Sequence, residues 1–184
     1  MDKETALLLQ IAFRLRARFI SKDDPWEASP FGWIRGLPSR RVGSFAEELV
    51  TEWLRFHGFR VEPSPDIEAD RLVEGYRVEI KFSTLWSSGT YRFQQIRDQN
   101  YDILICLGIS PQTAHCWAIP KEVIMQKWKE GSIPSQHGGV RGRDTAWLHV
   151  NPLRVPEWLQ PYGGTLEEGL SSLRRLVKHS WFRV

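Results

Sequence analysis

The sequence contains few of the residues that mark secreted, zinc-binding or membrane proteins. Its two cysteines, Cys106 and Cys116, stand within apolar, strand-like runs, so we expect reduced core thiols and no disulfide framework. Its five histidines lack zinc-ligand spacing. No apolar run is long enough to span a bilayer, and the acidic residues Asp2 and Glu4 do not suit a signal peptide. We therefore expect a cytoplasmic protein with no membrane partner.

Several catalytic signatures are also missing. There is no Gly-x-Ser-x-Gly nucleophile elbow, no phosphate-binding glycine loop and no internal repeat. The composition itself is that of a globular protein: 184 residues, 41% hydrophobic and 26% charged, predict a single domain over 1–184. A net charge of +3 and a pI near 9.0 are compatible with an anionic partner such as nucleic acid.

The first predicted helix covers residues 4–20. Leu8, Ile11 and Leu15 recur there at helical spacing and predict one packed face. Three basic residues on the same helix form either a solvated face or a contact for a DNA backbone or a dimer arm: Arg14, Arg16 and Arg18. A Pro- and Gly-rich loop is expected to follow over 21–41.

A second helix is predicted to open at Ser44. Ser44 as N-cap and Glu47 three residues later fit a capping box, and Gly58 ends the helix. Its apolar stripe consists of Ala46, Leu49, Val50, Trp53 and Leu54. Capping alone would explain Glu47.

A hairpin is predicted next, with strands over 72–73 and 76–82. The turn signal between them is Glu74-Gly75. Alternation along the second strand places Val78 and Ile80 on one face, together with Tyr76 and Phe82, and Glu79 and Lys81 on the other.

The hairpin would bring Asp70 back towards Glu79 and Lys81. Two carboxylates beside a lysine suit Mg²⁺, which takes hard oxygen ligands and keeps several waters. The lysine could hold or deprotonate an attacking water. The alternative is an exposed Glu79–Lys81 ion pair on a solvated strand, which would contribute little energy.

Asp70 followed across a hairpin by Glu79-Ile80-Lys81 resembles the active-site signature of the PD-(D/E)xK, or restriction-endonuclease-like, nucleases. The resemblance covers about residues 30 to 130, and the preceding helix matches the family in its Gly-x-x-x-Glu start at Glu47. It implies that Asp70, Glu79 and the Ile80 carbonyl hold Mg²⁺, with Mn²⁺ as a substitute, and that Glu47 helps directly or through water. Pro65-Asp66 reads literally as the family's "PD", so Asp66 rivals Asp70, although Asp70 stands nearer the hairpin turn.

Residues after the hairpin extend the resemblance. Segment 93–100 reads as a short helix, on which Gln95 is a candidate near the site, and 102–109 as a buried central strand. A strand over 114–119 and a helix over 121–129 complete a core of about 42–130. The implied fold is α/β, a restriction-endonuclease-like core with a central mixed sheet of four to five strands flanked by helices, with N-terminal (1–41) and C-terminal (131–184) helical additions.

The C-terminal part is predicted to contain a glycine-rich loop, a closing strand over 147–150 and a helix over 165–177. Arg141 and Arg143 in the loop are candidates for phosphate or base contacts, as are Arg40 and Arg41 ahead of the second helix. An ordinary surface loop is the alternative for the first pair.

The resemblance implies a Mg²⁺-dependent DNA endonuclease, with a type II restriction enzyme as first choice. Double-stranded DNA, a homodimer and a cognate methyltransferase within a restriction-modification system are the partners expected on that basis. Two alternatives remain: a repair or Holliday-junction nuclease of the same fold, and a non-catalytic nucleic-acid-binding module.

Overall fold

The computed structural model describes residues 3–19, 24–137 and 144–178. Its α-helices are α1 Lys3–Phe19, α2 Ser39–Phe56, α3 Lys121–Lys129 and α4 Leu166–Lys178. The strands are β1 Val61–Pro63, β2 Arg71–Val73, β3 Tyr76–Thr84, β4 Tyr91–Ile96, β5 Ile103–Ile109, β6 Ala114–Pro120, β7 Ser135–Gln136, β8 Thr145–Val150 and β9 Gly163–Thr165. None of the helices in these ranges is long and apolar enough to cross a bilayer.

A mixed six-stranded sheet forms the centre of the molecule, in the order β1-β2-β3-β5-β6-β9. Strands β3 and β5 run parallel, and every other neighbouring pair is antiparallel. All seven residues of β5 are buried, which explains why its sequence is continuously apolar rather than alternating. The predicted α/β class with a mixed central sheet is therefore confirmed.

Two apolar layers cover this sheet. On one face α2 and α4 pack through residues such as Val50 and Leu173 against Val78 and Ile80 of β3. On the other face lies a separate three-stranded sheet, in the order β4-β8-β7, together with α3. The predicted count of four to five strands in the central sheet is wrong, because that sheet has six, and the second sheet was not predicted.

The predicted helix over 93–100 is wrong, because residues 93–96 belong to the strand β4 and no helix follows up to residue 100. Tyr91 and Phe93 are fully buried against the central sheet, and β4 pairs with β8 from Tyr91↔Val150 onwards. A register shift between Phe93 and Ile96 interrupts that pairing. Gln95 lies inside the shift with a φ of +56°, a left-handed conformation typical of a bulge.

The terminal helices differ in how they pack. α4 buries Leu170 and Leu173 in the core, so it belongs to the main apolar layer. Its start is a capping box in which Thr165 and Glu168 bond each other's backbone N–H groups, at 3.2 and 2.8 Å. In α1, by contrast, Leu8 of the predicted apolar stripe is 67% exposed.

Candidate active site

The β2–β3 hairpin leaves part of the β3 edge uncovered. Glu74 and Gly75 have φ values of +51° and +85°, which is the geometry of a two-residue type I′ turn. Because β2 is only three residues long, its pairing with β3 extends no further than Arg71↔Val78. The β3 residues beyond Val78 therefore face this edge without a partner from β2.

Asp70 occupies the uncovered edge. Its backbone N–H donates to the Val78 carbonyl at 3.0 Å, and its Oδ2 accepts the Ile80 N–H at 2.7 Å. The N–H and C=O of one strand residue point to the same side, so the Ile80 carbonyl also points towards this edge. The hairpin thus brings Asp70 against the strand segment that carries Glu79 and Lys81, as the sequence predicts.

Glu79 and Lys81 lie on the second face of the central sheet. Their register partners on β5 are Leu104 and Cys106, which belong to the apolar layer beneath the second sheet. Lys81 Nζ is 2.7 Å from Glu79 Oε1, and the two side chains are only 20% and 9% exposed. The alternative of an exposed ion pair on a solvated strand is therefore wrong.

Burial dominates the electrostatics of Glu79. It raises the pKa of the Glu79 carboxyl, while the charge and hydrogen bond of Lys81 lower it and the negative charges of Asp70 and Glu47 raise it again. The result is a raised pKa in spite of the lysine. A bound cation would remove the repulsion among these three carboxylates.

Glu47 does not cap its helix. α2 begins at Ser39 after Pro38, so the predicted N-cap at Ser44 is wrong and Glu47 lies in the helix interior. Its Oε2 accepts a hydrogen bond from Arg71 at 3.0 Å. Burial, followed by the charge of Asp70, raises the pKa of Glu47, and the positive charges of Arg71 and Lys81 lower it. The helix therefore places a fourth charged group beside the hairpin site.

Arg71 is the residue that sequence reasoning missed. Its guanidinium bonds Glu47, the Thr51 hydroxyl at 3.0 Å and the Asp70 carbonyl at 2.7 Å, and so links α2 to the hairpin. Its position directly after Asp70 is the signal that could have identified it. A basic residue beside several carboxylates offsets part of their mutual repulsion.

The donor set suits a hard cation, although it is small. Within residues 3–19, 24–137 and 144–178, no three His, Cys, Asp or Glu side chains are grouped closely enough to hold a metal ion by themselves. Mg²⁺ needs fewer, since it usually keeps several waters and takes one or two carboxylates. Asp70 and Glu79, with the Ile80 carbonyl, therefore fit Mg²⁺ better than a cation that requires a complete protein cage.

Asp66 lies outside this arrangement. It is 46% exposed, bonds the Arg77 guanidinium and accepts the Glu68 N–H at 2.9 Å. Its hydrogen bond from Arg77 is the main cause of its lowered pKa. The contacts favour Asp70 over Asp66 as the acidic residue beside Glu79.

Of the other predicted residues, the structure describes Gln95, Arg40 and Arg41, and all three are exposed. Gln95 is exposed and lines a cleft of about 880 Å³ whose described lining includes neither Asp70 nor Glu79. Arg40 and Arg41 are exposed in the first turn of α2. Arg141 and Arg143 lie outside the described residues.

Comparison with known proteins assigns no family. No family model matches this chain, and no curated protein matches its sequence. Among solved structures, a bacterial homing endonuclease, I-Ssp6803I, is similar over 79% of this chain and 99% of its own, with a TM-score of 0.48 and 15% identity. At this level of identity and TM-score the likeness establishes neither family nor function.

Proposed function

We propose that this protein is a Mg²⁺-dependent endonuclease that hydrolyses DNA phosphodiester bonds at a PD-(D/E)xK-type site. The observation that carries the proposal is the cluster at the uncovered β3 edge. There Asp70 accepts a hydrogen bond from the Ile80 N–H, and Glu79 and Lys81 form a largely buried ion pair on the same strand segment. Glu47, on α2, interacts electrostatically with Asp70 and Lys81 of this cluster.

Each residue has a separate role in this proposal. Asp70, Glu79 and the Ile80 carbonyl would hold Mg²⁺, and Glu47 would contribute directly or through a water. When bound, the ion would lower the pKa of a coordinated water and stabilise negative charge on the phosphate. Lys81, held by Glu79 at 2.7 Å, would orient the attacking water by donating to it.

Mutually repelling carboxylates, one buried and two partly buried, cost stability, which a purely structural site would avoid. Raised pKa values of Glu47 and Glu79, produced by burial and by neighbouring acids, are typical of functional sites. The lysine pairs with only one member of the set. These features favour a cation site over a structural ion-pair network.

The proposal extends to the type of nuclease, its substrate and its partners. A type II restriction-like enzyme would act on duplex DNA as a homodimer beside a cognate methyltransferase, with Mn²⁺ as an alternative metal. The same site chemistry would also serve a nuclease selective for branched DNA. Substrate choice separates the two forms.

The test is cleavage of a DNA panel in Mg²⁺ and in EDTA: long unmethylated duplex, flapped duplex and four-way junctions. We expect cleavage in Mg²⁺ only, reduced at least about a hundredfold by Asp70→Asn, which keeps an oxygen that can accept the Ile80 N–H. Asp66→Asn, at the exposed aspartate paired with Arg77, is the matched control and should cleave like the wild type.

Discrete fragments from duplex DNA would support the sequence-specific form, and selective cutting of flaps or junctions the branched-DNA form. Full activity of Asp70→Asn would contradict the proposed site. Salt-sensitive DNA binding without hydrolysis in Mg²⁺ or Mn²⁺ would contradict the nuclease proposal and favour a non-catalytic DNA-binding module.

A further inference from the structure

A groove is lined in part by the residues of β3 that follow the candidate active site. We call it the β3 groove; its volume is about 450 Å³. Its described lining residues are Ile34, Arg35, Leu37, Ser39, Val42, Phe82, Ser83, Thr84, Trp86 and Gln94. Three of them, Phe82 to Thr84, directly follow Lys81 on the same strand. The groove therefore begins next to residues 79–81, which we call the catalytic segment.

Trp86 contributes an aromatic ring to the lining of this groove. The residue is 44% exposed, and the Arg92 guanidinium stands over its ring at 3.9 Å from the centroid. A tight turn fixes the backbone, since the Trp86 N–H donates to the Thr90 carbonyl at 3.1 Å and the Gly89 N–H to the Trp86 carbonyl at 2.9 Å. The ring is therefore held in place while much of it stays open to solvent.

Arg92 also links the Trp86 ring to β3, the strand that carries Glu79 and Lys81. The Arg92 N–H donates to the Ser83 hydroxyl at 2.9 Å, and Ser83 is only 5% exposed. Arg92 thus connects β4 to β3 two residues beyond Lys81 and also stacks on Trp86. A ligand in contact with Trp86 would be fixed relative to the catalytic segment.

Charge and position together favour the β3 groove as a site for nucleic acid. None of its described lining residues is acidic, and Arg35 contributes a positive charge that Asp24 partly balances at 3.0 Å. Arg40 and Arg41 are exposed on the same helical turn as its lining residue Ser39. The cleft that Gln95 lines includes Glu68, Asp98 and Asp144. A cleft of about 770 Å³ includes both acidic and basic residues, but the β3 groove, unlike it, is lined by the residues that directly follow Lys81. The described lining of the β3 groove thus contains no acidic side chain that would repel a phosphate backbone.

We propose that the β3 groove holds a single DNA strand that is unpaired beyond the scissile phosphate, with one of its bases stacked on Trp86. This deepens the proposed nuclease function and depends on it for the position of the scissile phosphate. A tryptophan face can stack on a base that has left the duplex, whereas a paired base offers only its edges in the grooves.

Strand geometry gives the expected position of that base. Thr84 lies about 10 Å beyond Lys81 at roughly 3.3 Å per strand residue, and Trp86 follows two residues later. At about 3.4 Å per stacked nucleotide, this span corresponds to roughly three to five nucleotides. The substrate class is therefore DNA with a short unpaired segment next to the cut, such as a flap or an opened end.

The test compares DNA binding of Trp86→Ala, Trp86→Phe and wild type by fluorescence anisotropy. The probes are a labelled duplex with a flap of about five unpaired nucleotides and the same duplex without the flap, with Ca²⁺ replacing Mg²⁺ to slow hydrolysis. We expect Trp86→Ala to weaken binding to the flapped probe about tenfold and to leave duplex binding unchanged. Trp86→Phe, which retains a stacking ring, should recover most of the loss.

Phe56→Ala is the matched control, because Phe56 is 86% exposed at the opposite end of α2 from Ser39, about 25 Å away. It should bind both probes like the wild type. Unchanged binding of Trp86→Ala to the flapped probe, or absent binding by the wild type, would overturn the inference. If Trp86→Ala lowers the affinity for both probes equally, the groove does not select an unpaired strand, and the inference is wrong.

The two proposals fail in different ways. If Trp86→Ala keeps both Mg²⁺-dependent cleavage and binding of the flapped probe, the strand-binding proposal for the β3 groove is wrong, and the nuclease proposal stands. If binding depends on Trp86 but no probe is hydrolysed in Mg²⁺, the β3 groove is a strand-binding surface, and the nuclease proposal is wrong.

Discussion

At the scale of single residues, the main feature is the charge of Glu79. The residue is 6% exposed, and an ionised carboxylate in such a place loses much of its hydration. Lys81 compensates only in part, since the pKa of Glu79 is still raised. Burial thus disfavours the charged form of this carboxyl, a feature that is common among functional sites.

The raised pKa of Glu79 predicts how stability changes with pH. The folded protein holds this proton more tightly than the unfolded chain, whose carboxyl titrates near 4.5. This contribution to stability is complete below pH 4.5 and is lost as the pH rises through the folded-state pKa. We expect the free energy of unfolding of the wild type, relative to Glu79→Gln, to decrease over that interval.

Urea unfolding of both proteins at a series of pH values measures this difference. Glu62→Gln, at a glutamate whose side chain is 53% exposed on β1, is the control and should follow the wild type at every pH. A pH dependence that Glu79→Gln fully shares would show that the Glu79 carboxyl is not perturbed in the fold.

At the scale of elements, the hairpin turn determines whether the site forms. Gly75, at φ +85°, completes the two-residue turn that aligns β2 with β3 and brings Asp70 beside Ile80. A side chain at this φ is strained, because Cβ approaches the following carbonyl. The turn is thus a local condition for the geometry of the site.

Gly75→Ala is expected to destabilise the protein by about 1–2 kcal/mol and to reduce Mg²⁺-dependent cleavage, because the turn strains or shifts. Gly43→Ala is the opposite control. Gly43 lies within α2, and no atom lies within 4 Å of an added Cβ, so the substitution should stabilise by about 0.5–1 kcal/mol. Thermal and urea unfolding measure both changes. A Gly75→Ala protein as stable as the wild type would exclude a required positive φ.

The elements also show what could be read from the sequence. The hairpin, β5, β6 and α3 were predictable because their signals are local: a Glu-Gly turn, a continuous apolar run, and Pro120 before a helix. The start of α2 was missed because Ser44 fits an N-cap, although the helix begins after Pro38. Strand β4 was missed because the shift at Gln95 interrupts its alternation.

At the scale of the whole molecule, the candidate site lies where three layers meet at the edge of the central sheet. α2 contributes Glu47 from one face, the hairpin contributes Asp70 at the edge, and β3 presents Glu79 and Lys81 to the other face. The second sheet that encloses that face depends on pairing between β4 and the distant β8. Such long-range pairing leaves no local signal, which is why the proximity of Asp70, Glu79 and Lys81 was predictable and their enclosure was not.

Single-turnover DNA cleavage by Lys81→Ala in Mg²⁺ tests the central claim most directly. The matched control is Lys121→Ala, at another half-buried lysine that pairs with a carboxylate, Asp98, at 2.8 Å. We expect Lys81→Ala to keep the wild-type circular dichroism and DNA affinity but to cleave about 10²–10⁴-fold more slowly, with Lys121→Ala close to wild type. Undiminished cleavage by a folded Lys81→Ala protein would contradict the assignment of Asp70, Glu79 and Lys81 as the active site.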